Sequence, residues 1–141
     1  MEFLEFLEEK IHLEPHPIFI HFPIAFYFLE LVLLFCWLKK KDSNYLNFAR
    51  FTFRLGYLFM IVAMVAGFHD AGGLTGIRGR VRYHFMAAAS VFTLYTLRAF
   101  FWRFGKVDRP SYKQTQLLFA LAGNILVALT GYLGGLLVYA K

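Results

Sequence analysis

Four long apolar runs, each closed by basic or turn residues, set the pattern of this chain. The first extends over 17–38 and stops at Lys39, Lys40 and Lys41. The second covers about 45–68, with Arg50 and Arg54 in its first half, the third about 81–104, and the fourth about 115–140. A helix rises 1.5 Å per residue, so about 20 apolar residues cross a hydrocarbon layer of about 30 Å. Each run meets that length, and the connections are short, which favours antiparallel neighbours. The pattern predicts an all-α membrane protein: one four-helix up-down transmembrane bundle over 14–141. Ahead of it, over 1–13, Phe3, Leu4, Leu7 and Ile11 recur at helical spacing among Glu2, Glu5, Glu8 and Glu9. That spacing predicts a short amphipathic helix lying on the membrane surface.

Composition sharpens this reading. Of 141 residues, 59% are hydrophobic and 17% charged, and the mean hydropathy is +0.53. A soluble body of this size has no interior for so much apolar surface. Disorder and a disulfide scaffold are excluded as well, the latter by a single cysteine, Cys36. The net charge of +6 reports topology and not nucleic acid, because basic residues mark the cytoplasmic side of a membrane protein. Ten lysines and arginines fall on the side of the first and third connections, against five on the side of the termini. Both termini are therefore expected outside the cytoplasm.

The five histidines, His12, His16, His21, His69 and His84, all fall at or near the outer interface. His21 and His84 come from different spans at similar shallow depth, and spans one and three of a four-helix bundle can face each other. Two neutral imidazoles so placed can hold one haem iron axially or bind another transition metal. His16 and His69 are the substitutes for either ligand. Imidazole is also comfortable at a membrane interface without any ligand. Gly131 and Gly135 in span four, level with the histidines, offer either close helix packing or room for a flat cofactor. Arg78, Arg80 and Arg82 stand about one turn outside His84, where they suit haem propionates or lipid headgroups. Pro23 interrupts span one beside His21 and leaves the carbonyl of Phe19 without its helical partner.

A second polar layer lies deeper. Glu30, Arg54 and Arg98 sit at comparable depth in three spans. Charges in hydrocarbon are costly unless paired, so Glu30 is expected to form an ion pair with Arg54 or Arg98, and Asn124 to join the layer. On an ideal helix His21 and Glu30 point roughly half a turn apart; either the Pro23 kink reconciles the two directions or Glu30 faces a different neighbour.

The segments HPIFIHFPIA at 16–25, the acid at Glu30, GFHD at 67–70, His84 in RVRYHFMAAAS and GYLGGLLVY at 131–139 resemble an uncharacterised prokaryotic four-helix membrane family, domain of unknown function 2231. The family's third-span histidine is usually followed by an asparagine, where this chain has Ala87, Ala88 and Ala89. The resemblance implies a multi-pass protein of the prokaryotic inner (plasma) membrane, with functional positions at His16, His21 and His84. Fusions of some members to Rieske-type iron–sulfur domains imply an electron-transfer setting.

The leading expectation is a b-type haem protein, one haem per chain, that is not itself an enzyme. It would pass electrons near the outer face between quinol or a membrane complex and a periplasmic carrier. Met60 and Met64, on one face of span two, together with Met86, make a His/Met copper site the metal alternative. A cofactor-free anchoring subunit of a larger respiratory complex is the other alternative. Expected partners are the bilayer, quinone, redox-complex subunits and a second copy of the chain.

Overall fold

The computed structural model describes residues 15–104 and 110–139; the surface helix expected over 1–13 lies outside them. The described residues form four helices and no strand: α1 (Pro15–Lys40), α2 (Ser43–Asp70), α3 (Gly79–Phe104) and α4 (Pro110–Tyr139). All four are long and apolar enough to cross a membrane. They run beyond the expected apolar spans because an apolar run measures hydrocarbon only. A helix of 26 residues, such as α1, is about 39 Å long and continues through the headgroup layers.

The turns follow from local chemistry. Lys41 adopts a left-handed conformation (φ 57°) after the last turn of α1, and its N–H donates to the Trp37 carbonyl at 2.8 Å. Asp42 then caps α2, its carboxylate accepting the Asn44 N–H at 2.9 Å. Two residues thus reverse the chain. Between α2 and α3, Gly72 (φ 73°) leads into a 3-10 turn over Gly73–Gly76. Pro23 lies inside α1, and its ring is buried.

Helices α1 and α2 pack along each other as one hairpin, and α3 and α4 as another. Helix α1 also packs on α4, whereas α2 and α3 scarcely meet. Around the bundle the order is α2, α1, α4, α3, and α1 faces α3 across the interior. Each helix turns one stripe inward at alternating steps of three and four residues. In α1 that stripe is His16, Ile20, Pro23, Tyr27, Glu30, Leu34 and Trp37, from the cavity wall at its start to the buried core at its end. In α3 it is His84, Ala88, Val91, Tyr95 and Arg98.

The outer surface is apolar: Phe28, Phe35, Phe51, Leu58, Val65 and Ile125 are all exposed. The interior holds Glu30, Arg98 and Gln116, each fully buried. Apolar outside with ion-paired polar groups inside is the arrangement that lipid imposes. The bundle has a histidine end, with His16, His69 and His84, and a lysine end, with Lys39, Lys40 and Arg103.

Candidate functional site

The histidine end carries the one imidazole pair seen among the described residues. The rings of His16 on α1 and His84 on α3 have centres 5.9 Å apart and planes 81° from parallel. His16 Nδ1 lies 2.7 Å from the carbonyl of Ala63 on α2. His84 Nδ1 lies 3.0 Å from the carbonyl of Thr130 on α4. A carbonyl only accepts, so in each neutral ring Nδ1 carries the proton and Nε2 keeps its lone pair. This is the arrangement by which a protein orients a metal-binding imidazole.

Glycine makes both ring positions possible. A Cβ on Gly67 would stand 2.7 Å from His16 Nδ1, and one on Gly134 would stand 3.1 Å from His84 Cε1. Both are closer than an ordinary van der Waals contact, so each ring lies in a groove that a side chain would close.

The pair borders two adjoining cavities. The larger, about 400 Å³, is walled by all four helices, with Gly131, Gly134 and Gly135 forming its α4 side. The smaller, about 80 Å³, reaches toward the bundle centre, where Tyr27, Met60 and Met64 join the two histidines. The larger volume lies within the range of small-molecule sites. A Cβ on Gly131 or Gly135 would meet nothing within 4 Å. These glycines therefore line open space and are not pressed against a neighbouring helix.

The histidine most favoured by sequence is not in this pair. His21 is exposed, and its Nδ1 turns back to the carbonyl of Pro17 in its own helix at 2.6 Å. His69 is also exposed, with Nδ1 3.6 Å from Asp70 Oδ1. Arg78, Arg80 and Arg82 are exposed at the start of α3, and none lines either cavity. The structure thus brings together His16 and His84 with the open glycines, and leaves His21, His69 and the three arginines outside.

The deeper layer forms around Arg98. Its guanidinium grips Glu30 with two nitrogens, Nη1 donating to Oε2 at 2.8 Å and Nη2 to Oε1. Its Nε donates to Gln116 Oε1 at 3.2 Å. Arg54 takes no part and is exposed. Asn124 does not reach the pair; its amide donates to the carbonyls of Tyr27 and Ala120. Tyr27 and Tyr95 stack with centres 4.0 Å apart, joining this layer to the floor of the smaller cavity.

Sequence reasoning missed Gln116, Gly134 and the carbonyls of Ala63 and Thr130. A helical signal existed for two of these: Thr130 and Gly134 are one turn apart on the face that meets His84. Among the described residues no three His, Cys, Asp or Glu side chains gather as a metal-holding group. Two imidazoles alone do not complete a metal's shell, so a metal held here would draw further ligands from a bound group or from the thioethers of Met60 and Met64. The ring centres are close enough for one ion, about 2.0–2.1 Å from an imidazole nitrogen, to be reached from both rings. The donor set, its oriented lone pairs and the open glycine wall fit a haem held between the two rings.

A family model described as "predicted membrane protein (DUF2231)" matches residues 14–141. No curated protein and no solved structure matches the chain.

Proposed function

We propose, for a chain that belongs to the DUF2231 family of predicted membrane proteins, the role of a one-haem b-type electron carrier of the membrane, with His16 and His84 as the residues that would hold the haem iron. The observation that carries this reading is the pair itself: two imidazoles from facing helices, 5.9 Å apart, each with Nδ1 tied to a carbonyl of a neighbouring helix. His16 and His84 would hold the iron, Gly131 and Gly135 would leave space beside them, and Tyr27 would close the floor. When bound, the haem supplies reversible one-electron chemistry, and two protein ligands leave no open position for oxygen. The exposed arginines at the start of α3 lie at the right end to meet propionates or an anionic partner. Electrons would pass at the histidine end, between quinol or a membrane complex and a carrier outside the cytoplasm.

The test is a reduced-minus-oxidised spectrum of the purified protein with a pyridine haemochrome assay. A sharp α-band and close to one haem per chain are expected. A featureless spectrum from protein produced with ample haem overturns the reading.

A copper site is the second reading, favoured by one observation: Met60 and Met64 line the smaller cavity together with both histidines. Thioether and imidazole together suit Cu(I). Metal analysis of haem-free protein, and its loss in Met60→Leu/Met64→Leu, tests this reading.

A further inference from the structure

At the lysine end the helices that scarcely meet, α2 and α3, leave a cleft of about 580 Å³. Its walls carry Arg50, Phe53 and Arg54 from α2 and Ala99, Trp102 and Arg103 from α3. We propose that this cleft binds a phosphate-bearing anion.

Three arginines line this cleft, and among the described residues none of them has a carboxylate partner. The described residues contain three carboxylates, and each is engaged elsewhere. Glu30 is held by Arg98, Asp42 caps α2, and Asp70, at the opposite end of α2, accepts the His16 backbone N–H at 3.3 Å. Like charges gathered without acids repel one another, and an incoming anion relieves that repulsion. Guanidinium is the side chain whose planar fork matches a phosphate.

The cleft is partly organised already. Arg50 lies 5.7 Å over the Trp102 ring, and its Nη2 is 3.4 Å from the Tyr112 hydroxyl. Phe53 and Trp102 give the cleft an apolar wall, and the α2–α3 seam opens it toward the lipid-facing surface. A phospholipid could set its phosphate among the arginines and its chains along the seam, and a free phosphate could use the same three groups.

The full chain in neutral detergent is titrated with phosphatidylglycerol, phosphatidylcholine and inorganic phosphate, and binding is read by native mass spectrometry and thermal shift. Phosphatidylglycerol is expected to bind in preference to phosphatidylcholine. Arg54→Gln/Arg103→Gln should weaken that binding by roughly tenfold or more. Lys39→Gln/Lys40→Gln removes the same charge from the same end outside the cleft, and should weaken it less than about threefold. Competition by inorganic phosphate would show that the free anion occupies the site, and lack of competition would assign it to the lipid headgroup. Equal binding by the arginine variant and the wild type, or an equal loss in the lysine variant, overturns the proposal.

Discussion

At the scale of single residues, the candidate site depends on pairs of one ring and one glycine. His16 lies against Gly67, His84 against Gly134, Tyr27 against Gly56 and Tyr95 against Gly123. The first prediction concerns ligands: His16→Ala and His84→Ala should each abolish or greatly reduce haem content by the haemochrome assay, while His21→Ala should leave it near the wild-type value. The second concerns the grooves. Gly67→Ala places a methyl group against the His16 ring, and should weaken haem retention by about tenfold or more, as losing a ligand's orienting contact does. Gly131→Ala, whose Cβ meets nothing, should fold and melt as the wild type does. A competition assay with apomyoglobin reads the first of these glycine variants, and a thermal melt in detergent the second. Sequence placed the histidines at one end and named His84, but chose His21 over His16 on depth alone. Depth along a helix says nothing about direction around it. His16 and Glu30 are 14 positions apart, which at about 100° per residue returns to within about 40° of the same face. His21 and Glu30 come out opposed by the same arithmetic.

At the scale of helices, the inward stripes explain why a Glu–Arg pair can exist in lipid at all. Glu30 and Arg98 lie on the stripes of facing helices and are both fully buried, so each satisfies the other away from hydrocarbon. Arg54, in the neighbouring helix, is exposed and could not have served. Removing one member strands the other, which costs about 3–5 kcal/mol in a buried pair. Glu30→Gln should therefore lower the melting temperature in detergent clearly, and Arg54→Gln should leave it nearly unchanged. An unchanged melt for Glu30→Gln would remove the ion pair from the list of forces holding α1 to α3. The depth of this layer and its two candidate arginines were legible from residue spacing alone. Spacing could not choose between them, because that choice depends on which helix lies opposite α1. Gln116 escaped notice for the same reason: an amide near the start of a span looks like an interfacial residue until its stripe is known.

At the scale of the molecule, two hairpins meet chiefly through α1 and α4 and remain loosely joined between α2 and α3. Four spans and their alternation were legible, since apolar length and short connections dictate them. The unequal seams were not, because they depend on how the side chains interlock. A ligand held between α1 and α3 bridges the two hairpins and should stabilise the whole bundle: at a free concentration 100 times its dissociation constant, by about 2.7 kcal/mol. Detergent melts with and without haem check this, and His84→Ala should erase the difference. The carbonyls that orient the two histidines also impose an order in time. His16 finds the carbonyl of Ala63 once the first hairpin closes, but His84 waits for Thr130 on α4. Without α4 the His84 ring has no carbonyl to orient it, so under the proposed function a bound group would be held only after α4 has docked, and a chain cut before residue 130 should retain none.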